Sequence, residues 1–101
     1  PDAYVFPARI ATADLRPDQV SLVIEVADTT LGDDLGVKAD LYARYGVQEY
    51  WVVDIARRVI LVHRDRDGQR WAAPLEVTAS ETARCAAIPE LTLRLGDLKR
   101  V

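Results

Sequence analysis

Three charged residues stand where the surrounding sequence calls for apolar ones, and their types could together perform phosphoryl chemistry. Glu25 interrupts the run Val20-Ser21-Leu22-Val23-Ile24-Glu25-Val26-Ala27. Strand neighbours two apart share a face, so its companions there are Val23 and Ala27. A carboxylate in that setting must be paired, protonated or bound to metal, unless a strand-end position lets it escape to water. Lys38 falls inside the stripe Leu35, Leu41, Tyr42 and Tyr45, which repeats at helical spacing. Taken alone, it reads as a lysine whose aliphatic stem lies along the stripe while the ammonium reaches solvent. Beside Glu25, which enters the same loop–helix corner, it becomes a second candidate.

Asp2 is the third, and it competes with Asp18, because each follows a proline. Asp18 precedes Glu25 by seven residues along one nearly extended segment, which would separate their Cα atoms by roughly 20 Å. No single Mg²⁺, with ligands at about 2.1 Å, spans that gap. If the first strand runs antiparallel to the 20–27 strand, Asp2 lies beside Glu25, and Asp18 is a turn residue. Asp2 and Glu25 would hold a hard divalent cation, Mg²⁺ or Mn²⁺, that polarises a phosphoryl oxygen and activates water. Lys38 would stabilise the charge that develops on phosphorus or orient the attacking water.

The elements that must position these groups follow from patterning. Residues 3–6 predict a short strand stopped by Pro7, and residues 20–27, apolar and rich in β-branched side chains, a central strand covered on both faces. The segment Asp28-Thr29-Thr30-Leu31-Gly32-Asp33-Asp34 carries helix-start chemistry. A helix over about 35–45 follows, stopped by Gly46. Residues 49–54 predict the next strand. Residues 59–63 and 70–73 predict a hairpin around Asp65-Arg66-Asp67-Gly68, where the Asp-Gly pair supplies the turn. Residues 91–95 alternate as a half-buried strand. The order strand, strand, helix, strand, hairpin, strand is mixed α/β.

Composition narrows the function classes. The 101 residues make one domain, and no apolar run reaches the ~18–20 residues of a bilayer span. No secretory signal opens the chain, so a cytoplasmic protein without membrane contact is expected. One cysteine (Cys85) and one histidine (His63) exclude an intrachain disulfide and a conventional His/Cys metal cluster, leaving carboxylates as metal ligands. A net charge of −3, from 13 Lys/Arg and 16 Asp/Glu, argues against a broadly basic phosphate-binding surface. It leaves room for an enzyme that meets nucleic acid through a metal.

Glu25-Val26-Ala27-Asp28-Thr29-Thr30-Leu31, then Asp34, Lys38 and Leu41-Tyr42-Ala43, then Gly46-Val47-Gln48-Glu49-Tyr50-Trp51-Val52-Val53-Asp54, together resemble the bacterial Uma-type restriction endonuclease family, part of the PD-(D/E)XK nuclease superfamily. The likeness runs from Pro1-Asp2 to Ile88-Pro89-Glu90-Leu91. It implies a restriction-endonuclease-like mixed sheet with one main helix, and Mg²⁺-dependent cleavage of DNA. It matches Asp2 and Glu25 to metal ligands and Lys38 to a catalytic lysine displaced onto the helix. The superfamily's usual lysine position, two after the glutamate, is Ala27 here. Asp34 matches a recurrent aspartate that either caps the helix, the favoured reading, or approaches the site, and Gln48 and Glu49 are candidates for support around the site.

Relatives carry a segment before the Pro-Asp pair that supplies a first helix and strand. With that segment and any methionine missing, residues 1–101 read as an N-terminally truncated core of one domain, with an uncovered sheet edge and face that favour self-association, a homodimer being the candidate assembly. The rival reading is a catalytically inactive nuclease-like scaffold that acts as a binding or dimerisation module. Among the remaining residues, His63 is expected to face outward, Cys85 to be small and buried, and Trp51 and Trp71 to pack in the core. Arg57, Arg58, Arg64, Arg66 and Arg70 could touch phosphates or simply line a solvated hairpin.

Overall fold

The apolar run that carries Glu25 becomes the second strand of a mixed sheet. The structure is a computed structural model and describes residues 1–28 and 31–98. Among these, the main sheet has the order β1 (Ala3–Val5), β2 (Leu22–Ala27), β3 (Tyr50–Asp54), β4 (Val59–His63), β7 (Leu75–Thr78). β1 pairs antiparallel with β2 in the register Ala3↔Ile24, the arrangement that brings Asp2 to Glu25. Between β2 and β3 lie the helices α1 (Leu31–Leu35) and α2 (Val37–Arg44), so β3 returns parallel to β2 with Glu25 opposite Val52. The expected cover on both faces is complete for β3, which is buried at every position, and partial for β2, where Val26 stays 47% exposed. The mixed α+β architecture agrees with the restriction-endonuclease-like expectation.

One face of the sheet packs Val23, Ala27, Tyr50, Val52 and Leu61 against Ala39 of α2. The opposite face packs Leu22, Trp51, Val53, Ile60 and Val62 against Ala83, Cys85 and Leu95 of the C-terminal segment. In that segment β8 (Ala83–Arg84) pairs with β9 (Thr92–Leu93). The alternation over 91–95 is real, with Leu91 and Leu93 half-buried and Leu95 buried, but only two of those residues form a ladder. Cys85 and Trp51 are buried as expected, whereas Trp71 is only partly so.

The helix differs from the sequence reading in two ways. It starts earlier, at Leu31, and bends at Gly36, where φ −104° and ψ −97° depart from helical values. The hydrogen bonds Gly36 N to Gly32 O (2.9 Å) and Asp40 N to Gly36 O (3.0 Å) run through the bend. A Cβ at Gly36 would stand 2.9 Å from Gly32 O, so the bend needs glycine. Thr29 and Thr30 of the expected helix start lie outside the described residues.

The second difference is the buried face. Ala39 and Ala43 face the sheet, while Leu35, Leu41 and Tyr45 stay 37%, 42% and 57% exposed. Ala39 joins the core beneath the sheet, and Trp71 and Arg66 bind the Ala39 and Ala43 carbonyls, so these small residues are enclosed while the larger stripe stays outside. Lys38 therefore sits at the border of the buried face rather than in its middle. At the C-terminus, Val47 N donates to Tyr42 O (3.1 Å) and Gly46 N to Ala43 O (3.2 Å), with Gly46 at φ +88°. That is the left-handed glycine closure the sequence predicts.

The expected pairing of 59–63 with 70–73 is not made. β4 pairs with β3 on one side and with β7 on the other. β5 (Arg66–Asp67) and β6 (Arg70–Trp71) form a short separate ladder around Gly68, at φ +67°. This tongue folds onto α2 instead. Trp71 Nε1 donates to Ala39 O (2.9 Å), and the Arg66 guanidinium donates to Ala43 O and Val47 O while lying 4.5 Å from the Trp71 ring centroid. A cation on the last carbonyls of a helix is favourably placed. β7 escaped the sequence reading because Leu75, Glu76 and Thr78 are exposed on a sheet edge.

His63 does not face outward, because both faces of β4 are covered. It is 5% exposed, stacked on Tyr50 and tilted against Trp71, and its Nδ1–H donates to Tyr50 O at 3.1 Å. Burial pushes its pKa below the ordinary 6.5, although carbonyl hydrogen bonds oppose the shift.

Two outcomes follow. Gly46→Ala forces a side chain into a left-handed backbone and against Asp18, and should lower unfolding free energy by about 1–2 kcal/mol in urea titration; an unchanged midpoint would show that the turn tolerates L residues. Because the folded pKa of His63 is depressed, the unfolded chain takes up its proton first, so stability is full above about pH 6.5 and falls as acid is added. His63→Gln should lose less stability than the parent between about pH 7 and 5, and equal losses would remove His63 as the cause.

Candidate active site

Glu25 reaches the end of β2 on the face that α1 and α2 cover, and only 3% of it is exposed. Three groups meet it. The Asp2 amide donates to Oε1 at 2.9 Å, and the Pro1 nitrogen stands 3.5 Å from the same oxygen. Lys38 Nζ donates to Oε2 at 2.6 Å and lies 3.1 Å from Asp34 Oδ1. Asp2 in turn accepts from the Val26 amide through Oδ2 at 2.6 Å, so its carboxylate lies on the β2 main chain next to Glu25. The antiparallel β1–β2 register makes this reciprocal contact possible: past Ala3↔Ile24 the ladder ends, and Asp2 completes it with its own side chain.

Asp2, Glu25 and Lys38, far apart in the chain, are thus brought together. Asp18 is not among them. It lies in a short 3-10 turn, Pro17–Gln19, and accepts from Arg16 Nε at 3.2 Å. Asp34 joins the site rather than serving ahead of the helix as a cap. It stands inside α1, 1% exposed, four residues before Lys38, so that one turn of helix stacks carboxylate and ammonium. Its i,i+4 spacing to Lys38 was the available signal in the sequence.

Tyr50 lies beneath this cluster and donates its hydroxyl to Asp34 O at 2.8 Å. Burial, then the negative charges of Asp34 and Glu25, push the phenol pKa up, so Tyr50 is a neutral donor. Tyr42, ring-packed on Tyr50 at 5.0 Å, is shifted up first by burial and then by Glu25. Lys38 is held above its ordinary 10.5 by the hydrogen bonds to Glu25 and then Asp34, and is an ammonium throughout the neutral range.

Gln48 and Glu49 do not support the site. Gln48 Nε2 donates to Asp18 O (3.2 Å), and Glu49 points to the opposite face of the sheet. There its buried carboxylate accepts from Trp51 Nε1 (2.5 Å), the Ala86 amide (2.9 Å) and Arg64 (3.1 Å). The arginines expected near phosphates are largely committed too: Arg64 to Glu49 and Arg84 O, Arg66 to the end of α2, and Arg57 to Glu76.

Residues 1–96 match the Uma2 family profile, whose description is "Putative restriction endonuclease". The chain belongs to the Uma2 family. No curated protein matches it. Uma2 membership points to a nuclease, and thereby to DNA as the substrate. No helix among the described residues is long and apolar enough to cross a membrane.

The residues of this Uma2 chain fit a hard divalent cation. The Asp2 carboxylate is held on the amide of the residue after Glu25, and the Glu25 carboxylate, itself 3% exposed, already binds a cation, the half-exposed Lys38 ammonium. Among the described residues no three Asp, Glu, His or Cys converge on one point. A two-carboxylate set suits Mg²⁺, which dehydrates reluctantly and keeps several waters.

Because the Lys38 pKa is raised, the stabilisation from its ion pairs is complete below the ordinary lysine value and is lost only as pH rises through the higher folded one. The stability difference between the parent and Lys38→Met, measured by thermal melting without metal, should therefore stay level between about pH 6 and 9. A difference that shrinks within that window would show that Lys38 is not the charged partner.

Proposed function

We propose that this chain hydrolyses phosphodiester bonds of DNA, with Asp2 and Glu25 holding Mg²⁺ or Mn²⁺ and Lys38 assisting. The observation that carries the proposal is the buried Glu25 carboxylate, which meets Asp2 through one oxygen and the Lys38 ammonium through the other. Family membership supports the same reading. The bound cation would polarise a phosphoryl oxygen and lower the pKa of a coordinated water. Glu25 and Asp2 fix where that charge sits, since both are anchored to the backbone at the β1–β2 edge. Lys38 carries its ammonium to the same place and stabilises the negative charge that grows on the phosphoryl oxygens during attack. As the water oxygen bonds to phosphorus, the bond to the leaving nucleoside oxygen breaks. The water's proton passes to solvent, and the leaving oxygen takes one up.

The test is nicking of supercoiled plasmid with and without Mg²⁺ or Mn²⁺. The parent should nick only with metal. Glu25→Ala should abolish nicking while circular dichroism stays native, and Lys38→Met should reduce the rate by about two to three orders of magnitude. Undiminished nicking by Glu25→Ala would remove the proposal. A parent chain that neither nicks nor binds metal would leave the inactive scaffold reading in its place.

A further inference from the structure

We propose that Asp34 is a positioning residue that takes over Lys38 when Glu25 exchanges the ammonium for a divalent cation. The inference rests on the reading of Glu25 as a cation ligand and adds a role for Asp34. In this structure both Glu25 oxygens are engaged, Oε1 by the Asp2 amide and Oε2 by Lys38 Nζ at 2.6 Å. A hard divalent ion approaches a carboxylate oxygen to about 2.1 Å. Oε2 has a second lone pair, but a divalent ion and an ammonium on the same oxygen would stand a few ångströms apart, and two like charges that close repel strongly in a buried setting.

Lys38 must therefore withdraw from Glu25 as metal arrives, and where it goes decides whether it remains useful. Its side chain is 44% exposed, so solvent is open to it. Asp34 supplies the other destination. Its Oδ1 already lies 3.1 Å from Nζ, so the ammonium needs only a short swing to be held there. Asp34 is itself a firm anchor: it is 1% exposed, and its carbonyl accepts from Tyr50 at 2.8 Å. The bend at Gly36 lies between the two residues, and helical hydrogen bonding continues through it, so Asp34 and Lys38 stay stacked one turn apart. Held at Asp34, the ammonium remains beside Glu25 and its cation instead of dispersing into water. Asp34 thus relieves the competition between lysine and metal and keeps the lysine in place for the reaction.

The consequence is a measurable coupling, readable by calorimetric titration of Mn²⁺ without any substrate. Asp34→Asn should weaken Mn²⁺ binding about tenfold in the chain that keeps Lys38, because the displaced ammonium has lost its destination. In the Lys38→Met background the same Asp34→Asn change should cost less than about twofold, since no ammonium remains to be displaced. Equal penalties in the two backgrounds would overturn the proposal, for they would reduce Asp34 to a structural or long-range electrostatic role. A parent chain without saturable Mn²⁺ binding would overturn the metal-site reading itself, and this inference with it. Should Asp34→Asn fail to fold, the unaltered chain still decides: in a Mg²⁺-saturated crystal structure Nζ should lie within hydrogen-bond reach of Asp34 and beyond it from Glu25. An ammonium pointing into solvent, or still on Glu25, would overturn the proposal.

Discussion

A carboxylate buried inside a central strand needs a cation, and the structure is arranged to bring one to Glu25. The strand that carries it, β2, lies between β1 and β3, and on the Glu25 face its neighbours Val23 and Ala27 are buried in the core beneath the helices. An uncompensated charge there would be strongly unfavourable. The crossover from β2 to β3 solves this by laying a helix over the strand's end with Lys38 at the border of its buried face. A second acid, Asp34, lies one turn earlier, so two carboxylates share one ammonium. The same burial that makes the arrangement necessary makes it useful, because charges excluded from water interact more strongly with whatever enters among them.

Around that pair the fold holds its parts from several directions. β1 completes its ladder with the Asp2 side chain, which fastens the first acid to the main chain beside the second. The helix is pinned at its far end by the tongue of β5 and β6, where Trp71 and Arg66 engage carbonyls of α2 and of the turn after it. On the reverse face a separate buried acid, Glu49, is satisfied by Trp51, Ala86 and Arg64 and locks the C-terminal segment to the sheet. The two buried glutamates look alike in sequence. Their surroundings differ: one accepts from a tryptophan, a main-chain amide and an arginine, the other from a half-exposed ammonium that it shares with Asp34.

Much of this was legible in the residues alone. The charges that break apolar patterns at Glu25 and Lys38 marked the site, because the hydrophobic effect makes such interruptions costly and therefore informative. The choice of Asp2 over Asp18 followed from strand rise per residue, and the antiparallel register bears out the geometry behind it. Gly46 and Gly68 announced their turns through the positive φ that they adopt. The helix face was not legible. Leu35, Leu41 and Tyr45 outweigh Ala39 and Ala43 in hydrophobicity, yet the alanines are the buried residues of α2, enclosed by the sheet core and by the Arg66 and Trp71 side chains.

The sequence by itself determined the first strands, the helix between them and the identity of the acids and the amine, since these depend on local periodicity and on side-chain chemistry. Only the tertiary structure decided which strand β4 takes as its second partner, that His63 is enclosed, and that Asp34 shares Lys38 with Glu25. Those features come from contacts between residues distant along the chain. Their energies depend on how closely whole elements can approach, and no local pattern records that distance.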